Sequence, residues 1–289
     1  MLLVLDVGNT NTVLGVYEAA QPASAGKGAA DKNSTGKSAA SKNSAPRLMA
    51  HWRVATVMTH TVDEYGVLFR NLFAIGKVDV NEVRGIIIAS VVPPLDSTLR
   101  EVCERYLQIK PLFVEPGIKT GMPVLYDNPQ EVGADRIVNG VAAFEKYGGP
   151  CVVVDLGTAT TFDAVSRKGE YLGGVISPGI GISARALYEH TARLPLVDIK
   201  KPAKVIGTNT VGSIQAGLFF GYLGLVDGIL ERLIGELGAD TKVVATGGLA
   251  SLIGDHSKYI KNVDDLLTLD GLRIIWERNA AVQKQKPAS

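Results

Sequence analysis

Two aspartates, each ending a short apolar run and each followed by a glycine, are where this sequence first offers chemistry. Leu2 to Leu5 runs into Asp6-Val7-Gly8-Asn9-Thr10-Asn11-Thr12, and Cys151 to Val154 runs into Asp155-Leu156-Gly157-Thr158-Ala159-Thr160-Thr161. A glycine at such a turn removes side-chain bulk and lets backbone N–H groups approach an anion. Threonine and asparagine add neutral donors. A carboxylate at the strand end can hold a metal ion, or its waters, against phosphate oxygens. One such loop is equally an ordinary hairpin turn. Two of them, with Thr246-Gly247-Gly248 closing a later apolar run, point to a nucleotide-phosphate site shared by two related halves. Neither loop has the lysine or glycine spacing of a Walker loop, and the Rossmann glycine fingerprint is absent.

The elements needed to position these loops can be read from patterning. Leu2 to Leu5 predicts a buried strand, with Thr12 to Tyr17 returning as a hairpin and Leu48 to Val54 as a further strand. Thr61 and Glu64 form a capping box ahead of Tyr65, Leu68, Phe69, Leu72 and Phe73 at helical spacing. Gly85 to Val92 predicts an apolar strand stopped by Pro93-Pro94. A helix carrying Leu99, Val102, Cys103 and Tyr106 and a short strand from Pro111 to Val114 follow. Glu115 to Pro129, rich in Gly and Pro, joins the halves, placing the domains at 1–120 and 121–289. The second half opens with a helix from about Glu131 to Tyr147. Strands are expected at Cys151 to Val154, Thr161 to Val165, Tyr171 to Val175 and Lys242 to Ala245. Thr210 to Leu237 reads as one or two mostly buried helices and Leu272 to Arg278 as a closing helix, with a frayed tail after Ala280. Gln21 to Ser44 contains no large apolar residue, and it reads as a disordered loop insertion.

Composition narrows the function classes. The chain has 289 residues, enough for two domains, and is 46% hydrophobic. Thirty basic and 29 acidic residues leave a net charge of +1, which gives no electrostatic reason to expect nucleic acid or an anionic membrane as partner. No apolar run is expected to reach membrane-spanning length. Two cysteines, Cys103 and Cys151, indicate no disulfide framework and a cytoplasmic, reducing setting. The N-terminus lacks a basic stretch, and Asp6 interrupts its apolar residues, so a signal peptide is not expected. His51, His60, His190 and His256 lack ligand spacing, and there is no zinc constellation or Gly-x-Ser-x-Gly elbow.

The ordered set of motifs resembles the type III pantothenate kinases, members of the actin, Hsp70 and sugar-kinase superfamily. It comprises DVGNTN at Asp6, the Tyr126 region, Gly133-Ala134-Asp135-Arg136, DLGTATT at Asp155, Ile206-Gly207 with Thr210, and TGGLA at Thr246. The resemblance implies an α/β fold of two ribonuclease-H-like domains with mixed sheets, flanking helices and a cleft between them. It implies ATP-dependent phosphorylation of pantothenate, a homodimer, and dependence on Mg2+ and a monovalent cation such as K+ or NH4+. Asp135, which on its own reads as well as an acid at a helix N-terminus, becomes the general base. Arg136 becomes a ligand for the substrate carboxylate or the transferring phosphate. Tyr126, Gly133, Ala134 and Thr210 become further substrate contacts. The stretch Asp6, Val7, Gly8, Asn9, Thr10, Asn11, Thr12 and Val13, with Thr158, Gly247 and Gly248, becomes the nucleotide site. Asp155 corresponds to the monovalent-cation ligand, and Asp6 to a residue orienting magnesium through water. Fold alone does not fix function. An ATP-binding accessory protein, a kinase for another small hydroxy-acid, and a phosphatase of the same superfamily remain the alternatives.

Overall fold

The computed structural model describes residues 1–18 and 46–283, with side chains to 280. The expectations for Gln21 to Ser44 and for the end of the tail lie outside the described residues. The first half runs β1 (Leu2–Val7), β2 (Asn11–Tyr17), β3 (Leu48–Ala55), α1 (Val62–Ile75), β4 (Gly85–Ser90), α2 (Pro93–Tyr106) and β5 (Leu112–Phe113). The second runs α3 (Ala134–Tyr147), β6 (Cys151–Leu156), β7 (Ala159–Val165), β8 (Tyr171–Pro178), α4 (Ile180–Glu189), α5 (Thr210–Leu237), β9 (Lys242–Thr246), α6 (Ala250–Gly254), β10 (Asn262–Val263) and α7 (Leu267–Gln283).

Each half is built on one five-stranded sheet, ordered β3-β2-β1-β4-β5 and β10-β9-β6-β7-β8. Beginning from β1 and β6, these are the same sheet. In each, the first strand pairs antiparallel with the second, the second antiparallel with the third, and the first parallel with the fourth. The repeated Asp-apolar-Gly motif therefore marks a repeated architecture. β1 and β6 are central and covered on both faces, which is why LLVLDV and CVVVDL read as continuous apolar runs. β3 alternates half-buried and exposed positions, as expected where one sheet face is open.

Three apolar clusters hold the layers. α1 and α2 cover the outer face of the first sheet through Tyr65, Phe69, Phe73, Leu99 and Val102. α5 covers the outer face of the second through Phe219, Tyr222, Val226 and Leu230. Between the sheets lies a third cluster that joins Val4, Tyr17 and Ile87 to Val153, Tyr171 and Val244 through Val138 and Val141 of α3 and Leu272 and Ile275 of α7. α7 is thus packed between both sheets. An ionic cluster reinforces this layer: Lys146 Nζ lies 2.6 Å from both Asp264 and Asp270, and the Tyr17 hydroxyl donates to Asp270 Oδ1 at 2.9 Å.

Several local expectations are corrected. Pro93-Pro94 do not merely stop β4. They open α2, where a missing N–H costs nothing. The helix expected from Glu131 begins at Ala134, after a single 3-10 turn at Pro129–Glu131. The span from Thr210 to Leu237 is one continuous 28-residue helix and is not mostly buried. It is long and apolar enough by composition to pass for a membrane span, contrary to the expectation of no such run, yet one side of it packs on the second sheet. α4, α6 and β10 were not expected. The capping box at Thr61 and Glu64 is present, with both reciprocal hydrogen bonds. Cys103 and Cys151 are free and buried.

Candidate active site

The two Asp-apolar-Gly turns face each other. Each first strand carries its aspartate to the edge of the gap between the sheets, and Thr10 Oγ1 meets Thr158 Oγ1 at 2.7 Å across it. A cleft opens beside this contact. It is lined by Asp6, Gly8, Asn9, Thr10, Asn11 and Val13 from the first half, and by Asp135, Asp155, Gly157, Thr158 and Thr246 to Gly248 from the second. Within the first turn, Gly8 N–H donates to Asn11 O, and Thr56 Oγ1 donates to Gly8 O at 2.7 Å. The end of β3 thus pins the loop from behind. Val7 and Thr12 do not face the cleft. Val7 is buried in the first core, and the Thr12 hydroxyl pairs with Thr56 at 2.9 Å.

Two glycines are set by the carboxylates. Gly247 has a φ of +94°, and a methyl there would lie 2.5 Å from Asp155 Oδ1. At Gly133 a methyl would lie 2.6 Å from Asp135 Oδ1. Asp135 sits in the first turn of α3 and accepts from the Arg136 N–H at 2.8 Å, the favoured place for a negative side chain.

Electrostatically the cleft is an acid trap. Burial, followed by the neighbouring Asp135 and Asp155 charges, pushes Asp6 up to about 8. Burial, then Asp135 and Asp163, pushes Asp155 up to about 7 against an opposing hydrogen bond from Asn139. Burial also raises Asp135. Burial leads in all three, and like charges across the gap add to it at Asp6 and Asp155. Among the described residues, no group of three or more His, Cys, Asp or Glu side chains converges as a metal site. The donor set therefore suits cations completed by phosphate oxygens and water. Magnesium is held that way, through one or two carboxylates together with substrate phosphates.

Arg136, next to Asp135, turns the other way. Its Nε pairs with Asp163 Oδ1 at 2.6 Å, both side chains being buried. Asp163 also accepts from the Tyr171 hydroxyl at 2.8 Å and from Thr161 Oγ1 at 3.1 Å. Arg136 Nη2 is buried with no partner, an orphaned donor. The Tyr126 ring packs against Tyr171, with centroids 6.4 Å apart, and lies beside Gly173. Tyr126 and Arg136 are therefore brought to one neighbourhood, with Gly133 and Ala134 leading into α3 above it. Thr210 is not. It is exposed at the start of α5 and lines a separate open pocket with Leu187, Leu194 and Asn209.

Sequence reasoning missed Arg53, Asp265, Thr268 and Leu269 in the cleft. It also missed Asp163, and it missed Asn139, which donates to Asp155 Oδ2 at 3.3 Å and accepts from Thr268 Oγ1 at 2.7 Å. None of them belongs to a recurring local pattern, so no spacing marks them. Asp163 alone had a signal: it is the one charged residue of its strand, set between Phe162 and Ala164.

Duplicated mixed sheets enclosing a carboxylate-lined cleft make up the two-domain α/β fold of the actin-like ATPases and sugar kinases. The chain belongs to the type III pantothenate kinase family. The family model of that description matches residues 2–232. A type III pantothenate kinase from Koribacter versatilis is 70% identical over 286 residues, covering 99% of this chain and 98% of the relative. One from Acidobacterium capsulatum is 53% identical, covering 99% and 97%. Among solved structures, the activator of 2-hydroxyisocaproyl-CoA dehydratase from Clostridium difficile, with bound ADPNP, superposes with a TM-score of 0.51 over 100% of this chain and 99% of that one. At 8% identity, that likeness speaks to fold alone.

Proposed function

We propose that this chain transfers the γ-phosphoryl group of ATP to the primary hydroxyl of pantothenate, giving 4′-phosphopantothenate, the first step of coenzyme A synthesis. The observation that carries the reading is the divergence of two adjacent side chains at the start of α3. Asp135 lines the phosphate cleft, and Arg136 enters a buried, tyrosine-flanked site with one donor unused. A hydroxy-acid anchored by its carboxylate on Arg136 would present its hydroxyl toward Asp135 and the γ-phosphate.

In that arrangement Asp135 accepts the hydroxyl proton as the oxygen attacks phosphorus and the bond to the β-phosphate oxygen breaks. Gly8 to Asn11 and Thr158 hold the phosphate chain by backbone and hydroxyl donors, and Gly247 and Gly248 let backbone approach the nucleoside. Asp6 orients magnesium through water, and Asp155 is the carboxylate offered to a monovalent cation, K+ or NH4+. Bound cations supply charge that neutralises the phosphates and the carboxylates together. This favours the ionised Asp135 that the reaction requires.

The active form is a homodimer. α5 leaves Gly217, Gly221 and Gly224 exposed, with open space beside each, and α4 exposes Ile182, Leu187 and Tyr188. That apolar, small-residue face suits a second copy, and it leads to Thr210, which then serves the partner's substrate site. Reduced buried thiols fit a cytoplasmic enzyme. No nucleic acid or membrane takes part. The test is a panel of small hydroxy-acids with water as the control acceptor, the product being identified by mass. Pantothenate turning over far faster than the others supports the reading. Release of phosphate to water, or an equal rate with any hydroxy-acid, contradicts it.

A further inference from the structure

The cleft that receives a nucleotide's phosphates is lined by four aspartates, Asp6, Asp135, Asp155 and Asp265. Among the described residues it is lined by one cation only, Arg53. Neither phosphate turn contains a lysine.

Arg53 belongs to this site by construction. In the first sheet Asp6 lies opposite Val13, and Val13 lies opposite Arg53. The three form one row across adjacent strands, on one face, with Asp6 and Arg53 two strand spacings, about 10 Å, apart along the backbone. The end of β3 is tied to the phosphate turn itself, since Thr56 N–H donates to Thr10 O and Thr56 Oγ1 to Gly8 O. The strand that carries the arginine therefore moves with the loop. Across the gap the guanidinium abuts the last glycine of Thr246-Gly247-Gly248, where a methyl on Gly248 would lie 3.1 Å from Arg53 Nη1. Its charge opposes the upward shifts of both Asp6 and Asp155. Among the described residues it forms no ion pair.

The duplicated fold supplies an internal comparison. The corresponding row of the second sheet runs Asp155, Thr161, Ile176. Both halves keep the aspartate on the first strand, but only the first half places a cation at the third. An arginine required merely to balance a carboxylate would be equally needed at Ile176, the position in Asp155's row that matches Arg53 in Asp6's. The asymmetry instead suits a ligand whose negative charge lies toward the first half.

We propose that Arg53 is a phosphate-contacting residue of the ATP site. On this proposal it is the one fixed positive charge among the described residues that faces the phosphate chain, reaching across the cleft from β3 and stabilising charge on the transferring group. A guanidinium suits this task because it is always ionised and offers a planar set of donors to phosphate oxygens. The inference rests on the kinase reading above. It adds a donor-side role that is independent of the acceptor site around Arg136.

Steady-state kinetics of wild type, Arg53→Ala and Arg53→Lys test it, with ATP and pantothenate varied separately and thermal melting measured for each. Arg53→Ala should lose on the order of 10²-fold in kcat/KM for ATP, the usual cost of one preorganised charge-stabilising donor. KM for pantothenate should stay within about threefold, and Arg53→Lys, a point charge without the fork, should recover part of the loss. Added guanidinium at millimolar concentration should raise the Arg53→Ala rate. Kinetics for ATP within about threefold of wild type in Arg53→Ala overturn the proposal, as does a loss expressed only in pantothenate KM. If Arg53→Ala melts early, Arg53→Lys decides: wild-type ATP kinetics there would deny the guanidinium any special role. Absence of pantothenate-dependent turnover in the wild type would strike the kinase reading itself, and is thereby distinguished from failure of the inference.

Discussion

The buried pair between Arg136 and Asp163 should break asymmetrically. Asp163 is fully buried, lies 2.6 Å from Arg136 Nε, and accepts from Tyr171 and Thr161 as well. Asp163→Asn preserves shape but removes the charge, leaving a guanidinium that cannot lose its proton in a dry site. Removing one partner of a buried pair in this way costs about 3–5 kcal/mol. At about 2–4 °C per kcal/mol for chains of this order, melting should fall by roughly 6–20 °C. Arg136→Met leaves Asp163 instead. Burial already pushes that carboxyl up to about 6 with the arginine present. Without the arginine it rises further, takes up a proton near neutral pH, and keeps its bond to Tyr171 as a neutral acid. The cost should then be nearer about 1–2 kcal/mol, a net hydrogen bond or two. Differential scanning calorimetry gives the stability order, and pantothenate KM separates stability from binding. Arg136→Met should raise KM by at least about tenfold, the loss of one charged contact. The reasoning is refuted if Arg136→Met is the less stable variant, or if it binds pantothenate normally.

Asp135→Asn should retain ATP binding by calorimetry while losing on the order of 10²- to 10⁴-fold in kcat; near-normal turnover in the folded variant removes Asp135 as base. Gly247→Ala forces a methyl to 2.5 Å from Asp155 Oδ1 at a φ of +94°. It should weaken ATP binding and lower stability by about 1–3 kcal/mol, read by titration and melting. In metal-free buffer, Asp6 and Asp155 hold their protons to about 8 and about 7 in the fold, against 3.8 unfolded. Between pH 4 and pH 8 these two carboxyls therefore bind more protons in the native state, and their contribution to stability falls as pH rises through that window. Asp6→Asn should flatten the fall, whereas melting that improves from pH 5 to pH 8 would contradict the shifts. β2 and β3 remain joined as far as the Glu18 N–H to Arg47 O bond of 2.9 Å. Replacing residues 21–44 by a short polar turn should therefore leave turnover and melting within about 2 °C of the parent.

What was legible in the sequence follows from where its information is local. A central strand buried on both faces writes itself as an unbroken apolar run, so β1, β4 and β6 were readable, and the doubled Asp-apolar-Gly turn disclosed the doubled sheet. The capping box at Thr61 was readable for the same reason. α5 misled because composition shows that a helix is apolar but not which side finds cover within its own chain. The paired Asp-apolar-Gly turns were legible as a motif, but not the inward rotation of Val7 and Thr12, which depends on the strand pleat and on Thr56 just after β3. Asp163, Asn139 and Arg53 were silent because their meaning is tertiary: each acquires a role only when a strand or helix from elsewhere arrives beside it. Thr210 was found by its motif and yet stands apart from Asp135, a separation that only the folded chain reveals.

Transfer of phosphate from ATP to pantothenate in this cleft is open to direct measurement. ADP release by the purified protein, measured with and without pantothenate in potassium and in sodium, tests it most directly. Release should require pantothenate, run fastest in potassium, and collapse in Asp135→Asn. Release at the same rate without pantothenate, or none at all in either salt with ATP and magnesium present, would contradict it.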